Sequence, residues 1–185
     1  MAAAFWTEGV PIRSSARDPQ IEVGRSAAAI TIDMRGGNKG AHFNGVVSTL
    51  PHDLSTLAAS VLVVQAPQGG GRTRFAVVAD DRNWYGMSVV DTTLLLEKCV
   101  EGKLSARSIP YDQALHRYWR LHKSGLTPLF VWETSADGTH WEVQLAEPPE
   151  IQLSSVVISL SAGTESAVSH PGIAIFSDFR LKGLE

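Results

Sequence analysis

The sequence predicts one all-β domain built as a two-sheet sandwich, and three observations lead to this prediction. Short runs of β-branched, aromatic and aliphatic residues recur about every 8–12 residues. Turn-forming pairs such as Glu101-Gly102 and Asp137-Gly138 separate them, and such residues tolerate the positive φ of tight hairpins. The chain has 185 residues, 44% of them hydrophobic and 19% charged, which is enough to bury a core in a single globular domain.

Thirteen segments carry the strand pattern. They are Gln20–Gly24, Ala28–Asp33, Gly45–Thr49, Ala58–Ala66, Arg74–Asp80, Trp84–Val90, Thr93–Val100, Lys103–Ile109, His116–Lys123, Leu129–Ser135, His140–Leu145, Ser155–Ser161 and Gly172–Leu181. Gly36-Gly37-Asn38 marks a turn, and the glycine-rich segment Gln68–Arg72 is expected to be a flexible hairpin. Leu50–Ala59 could be helical, because Asp53 could cap one turn there. Leu94–Lys98 is apolar but short, which favours a strand.

Alternation along each strand predicts which side chains point into the core. In His116–Lys123, Trp119 and Leu121 share one face with Arg117, and the other face is expected to be exposed. Phe130 and Trp132 are expected in the core, as are Val156, Ile158 and Leu160. The single cysteine, Cys99, lies among leucines and valine, which indicates a small buried hydrophobe.

The first twenty residues differ from the rest of the chain. Phe5, Trp6, Pro11 and Ile12 stand between polar residues without alternation. We therefore predict an N-terminal arm over residues 1–20 and a sandwich over residues 21–185. The arm packs either on its own sandwich or on a neighbouring copy, and the irregular pattern favours the neighbour.

The charge pattern excludes some classes of partner. The net charge is −3, the pI is about 6.1, and the basic residues are scattered, whereas nucleic-acid-binding domains carry a basic face. No run approaches the roughly 20 apolar residues of a membrane span. The N-terminus lacks the basic and apolar regions of a signal peptide. We therefore expect synthesis in the cytoplasm without membrane insertion, and action in a virion or another extracellular particle.

Five parts of the sequence together resemble concanavalin A-like lectin/glucanase jelly rolls, of the type found in bacterial extracellular proteins and phage tails. They are Asn83–Val89, Tyr111-Asp112, His116–Leu121, Trp132–Trp141 and Pro171–Leu181. The resemblance implies a jelly-roll sandwich. Within it, Trp132 and Trp141 are expected to pack across their hairpin, with Arg117 or Arg120 over one of the rings.

Glucanases of this fold carry catalytic carboxylates at alternating positions of one strand, and retaining enzymes hold the pair about 5–5.5 Å apart. Neither Glu-x-Asp-x-x-Glu nor Glu-x-Asp-x-Glu occurs here, so we expect no catalytic activity. The histidine spacing also predicts no zinc site. The resemblance does allow a structural calcium ion, with Asp178 on the last strand as its ligand. The alternative is a hydrogen-bonded Asp178 that ties this strand to a loop.

Exposed aromatic rings beside polar groups are the expected components of a carbohydrate site. The candidates are Trp84 and Tyr85, of which alternation makes Trp84 the more exposed, and the outward face of the predicted strand His116–Lys123, with Trp6 as a further candidate. That face carries His116, Tyr118, Arg120 and His122.

The sequence therefore predicts a non-catalytic binding or structural module of an extracellular particle such as a phage tail. Its partners would be further copies of itself, other particle proteins or a cell-surface glycan. A free carbohydrate-binding lectin and a degenerate glucanase are the alternatives.

Overall fold

The computed structural model describes residues 5–12, 16–35 and 40–184, which form fifteen β-strands and no α-helix. The strands are β1 (Trp6–Glu8), β2 (Ala16–Arg17), β3 (Glu22–Arg25), β4 (Ala29–Asp33), β5 (His42–Ser48), β6 (Leu57–Gln65), β7 (Gly71–Asp80), β8 (Asn83–Val90), β9 (Thr93–Val100), β10 (Lys103–Pro110), β11 (Tyr118–Lys123), β12 (Phe130–Ser135), β13 (Glu142–Glu147), β14 (Val157–Thr164) and β15 (Ile173–Gly183). The thirteen predicted strands are confirmed, with small shifts at their ends. The predicted turn at Gly36-Gly37-Asn38 lies outside the described residues.

The described strands form two packed sheets. Sheet A has the order β1-β5-β14-β7-β8-β9-β10, with β2 paired to β5, and sheet B has the order β13-β12-β11-β6-β15-β4-β3. Neighbours are antiparallel, except that β2 runs parallel to β5. The chain passes from sheet A to sheet B and back at β5, β6 and β7. The all-β sandwich predicted from the sequence is therefore confirmed.

The core lies between the sheets and follows the alternation of the strands. Tyr85 of sheet A packs on Phe130 of sheet B, with ring centres 4.3 Å apart. Trp132 Nε1 donates a hydrogen bond of 3.1 Å to the Gly86 carbonyl, which also links the sheets. Trp119 and the other side chains expected in the core are buried. These contacts fix the position of one sheet relative to the other.

The outer face of sheet A carries a buried ionic cluster. Arg72 binds Glu97, and both contact Ser88 Oγ at 3.1 Å and 2.6 Å respectively. The guanidinium of Arg74 lies 5.2 Å from the centre of the Trp84 ring. Glu97 is fully buried, so its charge is compensated by arginine rather than by water.

The predicted N-terminal arm supplies two strands to sheet A and places one side chain, Ile12, on the outer face of this sheet. β1 and β2 both pair with β5, and Ile12 joins the buried cluster that contains Trp84 and Cys99. The ring of Trp6 packs on Phe179, with centres 4.9 Å apart. The described part of the arm thus packs on its own sandwich, and the contact with a neighbouring copy that we favoured is not needed to bury its apolar side chains.

Two local predictions were wrong. Leu50–Ala59 is not helical: residues 54–56 form a turn, beside which Asp53 Oδ1 accepts a hydrogen bond from Ser55 N at 2.8 Å, and β6 begins at Leu57. Gln68–Arg72 is not a hairpin, because it connects β6 of sheet B to β7 of sheet A.

Cys99 is buried as predicted, and burial raises the pKa of its thiol. In the described ranges no helix is long and apolar enough to cross a membrane.

Candidate functional site

The outer face of sheet B carries polar side chains in two rows that cross three adjacent strands. The register of β11, β6 and β15 sets these rows, because each residue faces its partner on the next strand. One row is Arg120, Ser60 and Arg180, and the other is His122, Ala58 and Lys182.

The rows form a groove because their middle members are small. Ser60 and Ala58 make a low floor, and the longer side chains of β11 and β15 stand on either side. These outer strands are about 10 Å apart, twice the spacing of neighbouring strands. The groove has a volume of about 600 Å³, and Thr139, Trp141 and the fully exposed Leu126 also line it. A space of this size accommodates a sugar ring.

Glu133 fixes the cationic wall of the groove. It lies opposite Arg120 on β12 and accepts hydrogen bonds from Arg120 Nε at 2.5 Å and from His122 Nε2 at 2.9 Å. Burial raises the pKa of the Glu133 carboxyl, but these two hydrogen bonds outweigh that effect and hold the pKa below its usual value. The carboxylate therefore stays charged at neutral pH and orients both neighbours.

Trp141 adds an aromatic surface to the groove. The guanidinium of Arg120 lies 4.1 Å from the centre of its ring, a cation–π contact that confirms the expected placement of an arginine over a tryptophan. The expected packing of Trp132 on Trp141 was wrong. Trp132 points into the core opposite Leu145, and the pairing of β12 with β13 shifts at Trp132/Glu133. Trp141 therefore lies on the outer surface.

The structure brings together some of the predicted site residues. Arg120 and His122 line the groove. Tyr118 shares their face, and its ring adjoins Gly138 at the rim, where a Cβ would lie 3.0 Å from Tyr118 Cε1. His116 lies outside the groove and closes a turn, since its Nδ1 accepts a hydrogen bond of 3.1 Å from Asp112 N.

Trp84 does not belong to this site. It lies on the outer face of sheet A with 2% of its surface exposed, beneath the N-terminal arm. Alternation placed it correctly outside the central core, but the prediction that it is exposed was wrong because Ile12 covers that face. Tyr85 and Trp6, the other aromatic candidates, are also buried.

Asp178 lies in an irregularity of β15 with a φ of 47°. Its two carboxylate oxygens accept hydrogen bonds from Arg180 Nε at 2.9 Å and from Arg180 Nη2 at 2.7 Å. Among the described residues, no group of three or more His, Cys, Asp or Glu side chains could hold a metal ion. Asp178 thus orients an arginine of the groove, and a calcium ion there gains no support from its contacts.

Comparisons with solved structures identify the fold. A β-glucanase from Bacillus licheniformis matches with a TM-score of 0.67 and 8% identity over 100% of this chain and 94% of that chain. The carbohydrate-binding module CBM66 from Bacillus subtilis matches with a TM-score of 0.53 and 11% identity over 97% of this chain and 96% of that one. The fold is a concanavalin A-like jelly roll.

A functionally unknown protein from Saccharomyces cerevisiae has the same jelly roll, with a TM-score of 0.60 and 16% identity over 98% of each chain. No protein-family model matches this sequence, and no curated protein sequence matches it. At these identities the likeness concerns the jelly roll alone.

Sequence reasoning missed most of the residues that line the groove, among them Ser60, Trp141, Arg180 and Lys182. One signal was available for the last two, because basic residues at alternate positions near the end of β15 must share a face. Trp141 was considered only as a packing partner of Trp132. Ser60 carried no signal, because its role depends on which strands flank β6.

Proposed function

We propose that this chain is a non-catalytic carbohydrate-binding module that holds a sugar in the groove on the outer face of sheet B. The observation that carries the proposal is the combination of an open groove, an aromatic ring and preoriented hydrogen-bond donors at one place. Carbohydrate sites need this combination, because the ring packs against the sugar and the donors bind its hydroxyl groups.

Arg120 supplies the clearest donors. Its Nε is bound to Glu133 and its guanidinium lies over Trp141. Within the described part of the chain, its two Nη groups donate no hydrogen bond. Glu133 and Trp141 therefore hold these donors in place before a ligand arrives, which lowers the entropy lost on binding.

The positions and the pKa of the carboxylates near the groove support a non-catalytic role. Glycosidases need a pair of them, one with a raised pKa that acts as the acid. The described lining of the groove contains no carboxylate, and the pKa of the adjacent Glu133 is lowered. On the outer face of sheet A, Arg72 binds both Glu97 and Glu165. Among the described residues, these carboxylates are thus each bound to a cation and do not form the acid and base pair of a glycosidase, which supports a non-catalytic role.

Isothermal titration calorimetry against a panel of soluble glycans tests the proposal. The panel includes β-1,3-glucan and β-1,3-1,4-glucan, because solved structures with this fold include glucanases for these polymers. At least one glycan should bind saturably, and Trp141→Ala should weaken that binding at least tenfold. The control is Leu104→Ala, which should bind the glycan as the wild type does, because Leu104 is an exposed residue of β10 in sheet A.

Two results would overturn the proposal. One is the absence of binding to every glycan at millimolar concentration. The other is the release of reducing sugar from a bound glycan by the wild-type protein, because that would make the chain a glycosidase. Membership of a phage tail or a similar particle, the remaining part of the sequence-based prediction, stays a prediction, and the neighbouring genes would test it.

A further inference from the structure

β10 is the last strand of sheet A, and its outer edge pairs with no other strand among the described residues. The other strands at the ends of the sheets have features that discourage a further strand. β1, β2 and β3 have only two to four residues each, and the pairing of β13 is interrupted by a register shift. β10 instead has eight residues that pair with β9 without a shift. Short strands and bulges protect sheet edges from pairing, and β10 has neither.

The hydrogen-bonding pattern shows which backbone groups of β10 face the open edge. The N–H of Tyr111 donates a hydrogen bond of 2.8 Å to the Thr92 carbonyl. In antiparallel pairs, residues that are hydrogen-bonded to the partner strand alternate with residues that are not. The odd-numbered residues of β10 therefore bond to β9. Leu104, Ala106 and Ser108 direct their N–H and C=O groups to the open edge, where an added strand would bond to them.

A cavity of about 140 Å³ adjoins this edge between the two sheets. Its apolar part is formed by Leu96 of sheet A and by Trp132 and Leu145 of sheet B. Ser105 and Arg107 of β10 also line it, and both are exposed. An apolar cavity of about this size holds a group as large as a benzene ring. It therefore accommodates a branched aliphatic side chain of an added strand.

The charges of β10 indicate which kind of strand fits. Lys103 and Arg107 lie on the face of β10 that is turned toward the cavity, two positions to either side of Ser105. Both side chains are exposed and have no hydrogen bond or ion pair in the part of the chain that the structure describes. β10 itself contains no carboxylate. Cross-strand pairs of opposite charge are stabilising, so acidic side chains on an added strand complement these two cations.

The carboxylates near this edge do not neutralise the two cations of β10. Glu147 and Glu150 share the ammonium group of Lys98. Glu101 in the turn before β10 and Glu142 on β13 are exposed, and within the described contacts neither of them binds a cation of β10. The positive charge of β10 is thus available to a partner.

We propose that β10 binds an extended acidic segment of another protein, which adds to sheet A as a further strand. The backbone of the segment bonds to Leu104, Ala106 and Ser108. An aliphatic residue of the segment enters the cavity, and acidic residues two positions before and after it lie opposite Lys103 and Arg107. In strand addition generally, main-chain hydrogen bonds give affinity and pockets for alternate side chains give specificity.

A second copy of this chain is a poorer occupant of the edge. Two β10 strands would bring four cations and no carboxylate onto the same edge, and like charges on facing strands are destabilising. The edge also lies on a different part of the molecule from the glycan groove, so this proposal is independent of the proposed function.

Two blocked heptapeptides test the charge selection by calorimetry. The acidic peptide is Thr-Glu-Thr-Ile-Thr-Glu-Thr, and the basic peptide has lysine in place of each glutamate. At about 50 mM salt the acidic peptide should bind at least tenfold more tightly, and the advantage should shrink at about 0.5 M salt, because salt screens exposed charges. Arg107→Glu should remove most of the advantage. Arg25→Glu is the control, because it makes the same change in net charge on an exposed residue of β3, at the opposite edge of the sandwich.

A proline substitution tests whether the peptide adds as a strand. Ala106→Pro removes an N–H that faces the open edge and no hydrogen bond to β9, and proline is tolerated on edge strands. The variant should keep the thermal unfolding transition and lose at least tenfold in affinity for the acidic peptide. Ala106→Val keeps the N–H and should bind the peptide as the wild type does.

Four results would overturn the proposal. The first is equal binding of the two peptides, or no binding of the acidic one at millimolar concentration. The second is an equal loss of affinity in Arg107→Glu and Arg25→Glu, because net charge would then be responsible. The third is unchanged affinity in folded Ala106→Pro, which excludes strand addition. The fourth is a wild-type dimer in light scattering that Ala106→Pro abolishes, because the edge would then serve a second copy.

Discussion

Lys98 Nζ of sheet A lies 2.6 Å from a carboxylate oxygen of Glu147 on β13 of sheet B. The same ammonium group lies 2.6 Å from Glu150, and the backbone N–H of Glu150 donates a hydrogen bond to the hydroxyl of Tyr85. Hydrogen bonds to Glu147 and Glu150 hold the pKa of Lys98 above its usual value. These contacts connect the sheets at one edge of the sandwich.

Lys98→Met should destabilise the protein modestly. The methionine keeps most of the side-chain length but leaves the two glutamates without a cation, and a partly exposed ion pair contributes up to about 1 kcal/mol. Since the pKa of Lys98 is raised, this contribution is fully present below the usual lysine pKa of about 10.4. Urea unfolding at pH 7 measures it. A loss that stays unchanged at about 0.5 M salt would contradict an electrostatic origin.

Trp84→Ala should destabilise the protein strongly without affecting the groove. Removing a buried large aromatic side chain lowers the free energy of unfolding by about 3–5 kcal/mol. The variant also lacks the contact between the Trp84 ring and Arg74. Thermal unfolding measures the cost, and Trp84→Phe should recover part of it. Glycan affinity, measured well below the unfolding temperature, should match that of the wild type. A selective loss of affinity would restore Trp84 as a binding residue.

Glu97→Gln should destabilise the protein far more than Glu165→Gln. Both glutamates bind Arg72, but Glu97 is fully buried while Glu165 is exposed. Breaking a buried ion pair from one side costs about 3–5 kcal/mol, because the other charge stays uncompensated. The exposed pair should contribute less than about 1 kcal/mol. Denaturant unfolding of the two variants measures the difference, and equal losses would argue against burial as the cause.

Glu133→Gln should alter the acid dependence of stability. The folded-state pKa of Glu133 is lowered, so its contribution is present above the unfolded pKa of about 4.3 and is lost as pH falls through the folded value. We expect a loss of about 1.5–3 kcal/mol at pH 7, and the gap to the wild type should narrow below about pH 4. Unfolding curves at several pH values test this. Glu142→Gln, an exposed change in the same hairpin, is the control, and a gap constant with pH would contradict the prediction.

Local sequence patterns were sufficient for the strands and for the faces of β11. Alternation alone places Trp119 and Leu121 in the core and Arg120 and His122 outside, and the structure agrees. The period of a strand is a property of the chain itself, so no long-range information was needed.

Long-range contacts explain the failures. Alternation shows that Trp84 points away from the core, but it does not show that Ile12 packs against the same face. The groove likewise depends on β15 lying beside β6, more than 100 residues earlier in the chain. The pairing of strands so distant in sequence leaves no mark in the local pattern of either one.

The side chains of β6 alternate between positions in the core, which determine stability, and positions in the floor of the groove. Ala59 and Val61 belong to the core, while Ala58 and Ser60 form the floor of the groove. A substitution at position 58 or 60 changes the depth and polarity of the groove without removing a core side chain. Under the proposed function, mutational drift at these positions would alter which sugar fits while the stability of the sandwich is preserved, and a library randomised at these two positions would be a direct route to new specificities.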